Sequence, residues 1–297
     1  MQRDIYETIT NRILAALEAA QADLEAGRHV QLPWVRNECG TVPTSIYGAP
    51  YRGVNYFLLT MLAGVYPSQL FGTYRGWQQK GCQVRKGEKG IPVIFWKFLS
   101  VREADTGETK DIPFARTFTV FAAEQVEGFD MAKHFAAQYE AMPNIAVRMA
   151  RADMAVKAFC DAQGLLIDHG GNRAFYSPAL DKVQMPLQAA FRSTEGYYAT
   201  LLHELAHSTG HQKRMNRNFK GRFGDAAYAM EELVAEFAAA MMCGRLGVQS
   251  SLRDDHAVYI ASWLRVLRSN PKAAVQAAAQ AQRAADMTSK LQRGMIV

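Results

Sequence analysis

Apolar residues recur along the chain first at helical intervals, then in strand-like runs, then at helical intervals again. Ile5, Ile9, Ile13, Leu14, Leu17 and Leu24, with polar residues between them, predict an amphipathic helix over residues 3–26 that Gly27 ends. A loop region rich in Pro, Gly and Trp follows, from Leu32-Pro33-Trp34 to Gly53, and then a short apolar helix over 55–63. Residues 92–101 and 113–121 read as strands with Thr106-Gly107 in their connection, which predicts a hairpin.

Residues 124–145 are polar and alanine-rich, with Gly128 and Pro143, and read as a connector. Beyond it the pattern gives a helix over 148–162 stopped by Gly164. A β-hairpin is expected from Leu165-Leu166-Ile167 and the run from Arg173 to Ser177, then a short strand over 179–185. Four more helices are predicted: one from Ser193 or Thr194 to Gly210, then 226–245, 256–269 and 272–291. The fold class is α+β in two domains. An N-terminal α+β domain occupies 1–130, a connector 131–147, and a mainly helical domain with a small β-sheet 148–297.

A chain of 297 residues with 49% apolar composition can build both cores. No run of about 18 uncharged apolar residues occurs, and Asp4 and Glu7 stand where a signal peptide would be basic and then apolar. A cytoplasmic protein with no membrane partner is expected. Cys39, Cys82, Cys160 and Cys243 form no C-x-x-C pair, which speaks against a disulfide framework and a cysteine-based zinc module.

Charge changes the picture of the N-terminal half. Between residues 52 and 102 eight cations face the single acid Glu88, a net of +7 in a chain whose total is +6. Aromatic residues are interleaved among them. Cations that track a phosphate backbone, with aromatic faces for splayed bases, are what sequence-tolerant single-strand binding needs. Arg52, Tyr56, Arg75, Trp77, Lys80, Arg85, Lys86, Lys89, Trp96 and Lys97 are the candidates for DNA contact. A second account stands beside this one: the aromatics are strand core, and Arg85-Lys86-Gly87-Glu88-Lys89-Gly90 is a solvated turn.

The strongest chemical signal is His203-Glu204-Leu205-Ala206-His207. On a helix the two imidazoles, four apart, face one way and can hold one metal ion, while Glu204 sits one step round as the general base of a zinc hydrolase. A catalytic zinc usually has three protein ligands, so a third is required. His211 lies beyond the helix-breaking Gly210, and Lys213 occupies the place of the third His in H-E-x-x-H-x-x-G-x-x-H. Glu231, Glu232 and Glu236 lie on the next helix, apolar apart from these acids. Carboxylates there are costly unless something pairs with them, and a metal with its histidines would. Glu232 is assigned to the metal and Glu236, four residues on, to the N–H of a ligating histidine, with Glu231 pointing elsewhere. Tyr228 and His169 are candidates for stabilising an oxyanion. The run from Lys213 to Gly224 carries five cations and no acid, and reads as a solvated loop or a second nucleic-acid contact.

With Tyr51-Arg52-Gly53-Val54-Asn55, Gly76-Trp77-Gln78, the run from Val84 to Gly90 and Ile94-Phe95-Trp96-Lys97 in one half, the chain resembles the ArdC-type antirestriction proteins of conjugative plasmids. In the other half the run from Tyr198 to His211 and Glu231-Glu232-Leu233-Val234-Ala235-Glu236 carry the likeness. The resemblance implies a single-stranded-DNA-binding domain, of a kind also found in plasmid primases. After it would come a zincin-like domain of the gluzincin kind, with a Glu third ligand. It implies protection of incoming plasmid DNA from host restriction, with single-stranded DNA as partner and double-stranded DNA as a second candidate. Glu236 stands where gluzincins usually have Asp.

Zinc is the expected cofactor. Manganese, iron and cobalt also suit a His-His-Glu set. Two alternatives accompany the antirestriction expectation. One is an intracellular zinc metallopeptidase recruited to DNA or to a protein substrate. The other is a DNA-masking protein whose metal is structural.

Overall fold

The structure is a computed structural model and describes residues 5–28, 32, 34, 42–62, 64–102, 109–219, 221, 225–249 and 256–293; the side chains of residues 5, 96–99, 101–102, 109–115, 256–258 and 289–293 fall outside that description. In chain order the first half holds α1 (Ile5–Glu25), β1 (Thr44–Ser45), α2 (Val54–Thr60), β2 (Leu70–Thr73), α3 (Tyr74–Gln79), β3 (Gln83–Val84), β4 (Ile91–Arg102), β5 (Thr109–Ala122), β6 (Val126–Glu127) and α4 (Met131–Ala141). The second half holds α5 (Ile145–Gln163), β7 (Leu166–His169), β8 (Phe175–Ser177), β9 (Lys182–Met185), α6 (Thr194–Ser208), α7 (Ala226–Leu246), α8 (His256–Ser269) and α9 (Ala273–Arg293). Mixed helix and sheet in two compact units agrees with the α+β expectation.

Compactness cuts the chain differently from the sequence-based segments 1–130, 131–147 and 148–297. One unit comprises Met1–Val42, Arg52–Met61 and Ala141–Val297, and the other Pro43–Tyr51 and Leu62–Glu140. The reason is the apolar stripe of α1. Ile9, Ile13 and Leu17 are buried, and α1 packs on α8 and α9, so the N-terminal helix completes the helical unit. All of α2 is buried there too.

Within the helical unit α7 lies between α6 and α9. Seven alanines of α9, from Ala273 to Ala285, are fully buried, and side chains this small let the helices approach closely. Gly244 on α7 makes room for Tyr56, whose hydroxyl donates to Ala240 O at 3.1 Å; a Cβ at 244 would stand 2.5 Å from that hydroxyl oxygen. The hairpin expected from Leu165-Leu166-Ile167 and Arg173 to Ser177 does not form. The sheet order is β7-β9-β8, with β7 parallel and β8 antiparallel to β9. Val183 and Met185 are fully buried while Leu166 and Phe175 are exposed, so burial makes the later strand the central one.

The second unit is built on the long β4–β5 hairpin, whose register runs from Ile91↔Val120 to Arg102↔Thr109, in a sheet ordered β1-β2-β5-β4. Thr106-Gly107, expected in its turn, lies outside the described residues. Thr73 caps α3 by accepting from Gly76 N, and Trp77 of α3 is buried against Cys82, Val84, Ala123 and Val126. The expected connector contains α4, a helix with no buried residue. Its alanines and long side chains favour helix, and only its first turn reaches a core, through Met131 against the Trp77 cluster. Among the described residues no helix is long and apolar enough to cross a membrane.

Candidate metal centre

Ser193 begins α6, its hydroxyl accepting from Gly196 N at 3.0 Å, and the helix carries His203, Glu204 and His207 against α7. Asp225 precedes α7, and Gly247, at φ 69°, ends it in the left-handed region that favours glycine. The two helices bring three donor atoms together. His203 Nε2 and His207 Nε2 are 3.1 Å apart, and Glu232 Oε2 stands 3.5 Å from the first and 3.6 Å from the second. Two donors each about 2.1 Å from a tetrahedrally held ion are about 3.4 Å apart, so the triangle has the size of a metal's coordination face.

The chemistry of the set agrees. Glu232 Oε2 and His203 Nδ1 are buried polar atoms with no hydrogen-bond partner among the described residues. Buried polar atoms of this kind are costly without something to satisfy them. A divalent cation meets the need of Glu232 directly. His203 Nδ1 lies 3.5 Å from Glu236 Oε2, the acid assigned to it from the sequence, without a hydrogen bond between them.

His207 is backed differently. Its Nδ1–H donates to Glu231 Oε1 at 3.1 Å, which corrects the expectation that Glu231 points elsewhere. Residues adjacent on a helix differ by about 100° in direction, yet both acids can flank an imidazole pair that spans a full helical turn. Burial pulls the His207 pKa down, but the charge of Glu232 and the hydrogen bond to Glu231, with the charge of Glu204, push it up to about 10. For Glu232 and Glu231 burial acts upward and is overridden. His207 and His203 hold Glu232 well below the usual carboxylate range, and Arg217 and His207 do the same for Glu231.

Glu204 is buried beside these groups, near enough for its charge to act on His207. Tyr228 is raised by burial, by a hydrogen bond with Tyr259 at 3.2 Å and by Glu232. His169 instead pairs with the Tyr197 hydroxyl at 2.8 Å. His211 is also committed elsewhere, its Nδ1 3.5 Å from Asp181 Oδ2. The basic run after α6 is solvated in part: Lys213, Asn216 and Asn218 are exposed, but two of its cations turn inward. Arg214 and Arg217 are buried, the first paired with Asp181 and the second with Glu231.

The candidates for DNA contact are not brought to one place. Tyr56 and Trp77 are corrected outright: both are core residues, Tyr56 in the helical unit and Trp77 in the sheet unit, where its indole N–H donates to Phe121 O at 2.9 Å. Arg52 pairs with Asp286 in the helical unit. Arg85 binds Glu88 at 2.7 Å and Glu124 O, which fixes the turn. Arg75, Lys80, Lys86 and Lys89 are exposed in the sheet unit. The side chains of Trp96 and Lys97 lie outside the described residues. Sequence reasoning passed over Arg116 and Phe118, which β5 places beside Phe95 of β4. Phe95 and Phe118 are 47% and 37% exposed, with ring centroids 5.2 Å apart, and the Arg116 guanidinium lies 5.5 Å from the Phe118 centroid. Period-two alternation along 114–120, once paired with β4, is the signal that puts these three on one face.

Comparison with known proteins adds a further observation. Residues 3–121 match the family described as the N-terminal domain of anti-restriction factor ArdC, and residues 154–280 match a zincin-like metallopeptidase family. An uncharacterized protein, y4eC of Sinorhizobium fredii (strain NBRC 101917 / NGR234), is 42% identical over 294 residues, covering 95% of this chain and 91% of that one. The DNA primase TraC of Escherichia coli is 30% identical over 318 residues that span all of this chain but 28% of the primase. Among solved structures, the metal-free crystal structure of the antirestriction ArdC protein from plasmid R388 aligns at a TM-score of 0.75 with 35% identity over 98% of both chains. Its Mn(II)-bound structure aligns at 0.74, with 34% identity, over 97% of this chain and 98% of that one.

Proposed function

The chain belongs to the ArdC antirestriction family, and from that premise we propose that it binds single-stranded DNA without sequence preference and protects incoming plasmid DNA from restriction. The observation that carries the DNA part is the exposed Phe95–Phe118 pair with Arg116 beside it, in the unit that also exposes Arg75, Lys80, Lys86 and Lys89. Exposed aromatic rings offer faces on which bases stack, and the cations track the phosphates. Double-stranded DNA keeps its bases stacked on one another, so the aromatic pair favours single strands. Anisotropy of a labelled oligonucleotide across salt concentrations tests this. Single-strand affinity should fall steeply as salt rises, and an affinity indifferent to salt removes the proposal.

His203, His207 and Glu232 would hold the divalent metal, and a relative of the same fold has been solved with Mn(II) bound. When bound, such an ion supplies a Lewis acid that polarises a carbonyl and acidifies water. Glu204, buried next to His203 on α6, is the proton acceptor at this centre, and Tyr228 on α7 is the residue we assign as its proton donor. A second function is favoured by this arrangement: a metallopeptidase activity that acts on a protein brought to the DNA.

A further inference from the structure

We propose that Glu231 and Arg217 are positioning residues of the metal centre, a clamp that fixes where His207 sits and which of its nitrogens faces the metal. The inference rests on the assignment of His203, His207 and Glu232 as the ligand set. A carboxylate only accepts, so the 3.1 Å contact makes His207 Nδ1 the donor to Glu231 and leaves Nε2 for the ion.

A lone glutamate on a helix has rotamer freedom, and the structure removes it. Arg217 Nε donates to Glu231 Oε2 and Nη2 to Oε1, both at 2.8 Å, a bidentate grip with both side chains almost fully buried. The same guanidinium donates through Nη1 to Thr209 Oγ1 at 2.7 Å and through Nη2 to Ala206 O at 2.7 Å. Arg217 therefore ties the last turn of α6, which carries His207, to the acid on α7 that orients it.

Gly210 belongs to the same device. Its φ is not in the left-handed region, so stopping the helix is not what requires glycine here. A Cβ at 210 would stand 2.9 Å from the guanidinium carbon of Arg217 and 2.6 Å from the Phe219 ring. The missing side chain makes the space that the guanidinium occupies. Lysine cannot replace Arg217, because one ammonium cannot grip both carboxylate oxygens and still reach the end of α6.

The test uses the full chain with Mn(II) and Zn(II) as probes, their dissociation constants measured by competition against a chelator. Arg217→Lys and Glu231→Ala should keep their far-UV circular dichroism and lose about ten- to a hundredfold in metal affinity. Glu231→Gln, which keeps an acceptor, should recover part of that loss. In the zinc-loaded chain the Nδ1–H proton of His207 should give an exchange-protected downfield NMR resonance that Glu231→Ala abolishes. Arg214→Lys is the control: Arg214 is equally buried and binds Ser208 O at the same helix end, but its carboxylate is Asp181. It should change metal affinity less than about twofold. Unchanged affinity in the folded Arg217 and Glu231 variants overturns the proposal. An equal loss in Arg214→Lys also overturns it, since the effect would then be general loosening of the helix end. If the unaltered chain binds neither ion, the ligand assignment has failed rather than the clamp.

Discussion

The indole N–H of Trp34 donates to Glu236 Oε1 at 3.4 Å, across 202 residues of sequence. The other oxygen of Glu236 faces His203 Nδ1, so a residue from the N-terminal segment stands directly behind the metal centre. Trp34 is held there by edge contacts to Phe57 and Phe237. Trp34→Phe keeps most of the ring and removes the N–H. Denaturant unfolding should show a loss of about 1.5–3 kcal/mol for the hydrogen bond to a charged group that is removed. Residues 141–297 made alone should fail to retain Mn(II) through dialysis, and retention would show the segment to be dispensable.

Metal uptake should release protons. With His207 raised to about 10, the metal-free protein carries a proton on it at neutral pH, and the ion must displace that proton. The sign follows: protons compete, so affinity rises with pH by up to about tenfold per unit and flattens as pH passes about 10. Calorimetric titration in two buffers of different ionisation enthalpy reads the proton count. Equal heats in both would contradict the assignment.

The sheet unit offers a split prediction. Phe95→Ala or Phe118→Ala should weaken single-strand binding by about 1–3 kcal/mol each without unfolding the unit. Lys86→Ala and Lys89→Ala together should lower affinity and reduce the salt slope by about 1.4. Trp77→Ala should cost about 3–5 kcal/mol of stability, because the ring is core and its N–H is satisfied at Phe121 O. An intact, tightly melting Trp77→Ala variant with weak DNA binding would return Trp77 to the interface.

These residues also show how far the sequence could be read. His203, Glu204 and His207 were legible because helical spacing is local, and Glu232 because an acid in an apolar helix needs a partner. Glu231 was hidden because its role depends on Arg217, whose reach across the loop after α6 is a non-local contact that no periodicity records. Tyr56 and Trp77 were misplaced because aromatic residues among cations look alike whether their rings face bases or a core. The order β7-β9-β8 was equally illegible, since strand adjacency there is decided by which strand is most buried. Helix extents fared best, α8 matching its predicted span at both ends, because each helix carries its own apolar stripe and stop signal.

Glu204→Gln separates the functions that the two units suggest. Glu204 is not one of the three donors, so metal content should be unchanged, and single-strand binding, carried by the other unit, should be unchanged too. Any proteolysis should fall by several orders of magnitude, because the amide cannot take the proton that a carboxylate takes. His203→Ala, in contrast, should strip the metal. If protection of incoming DNA rests on covering it, restriction assays after conjugation should show Glu204→Gln protecting as well as the unaltered chain, while the Phe95 and Lys86/Lys89 variants protect poorly. A protein that protects through peptide cleavage gives the reverse pattern: Glu204→Gln fails even though it holds its metal and its DNA. Loss in His203→Ala with retention in Glu204→Gln leaves the ion in a structural part. That outcome is reasonable for a centre whose two histidines and three acids join α6 to α7 in the middle of the helical core.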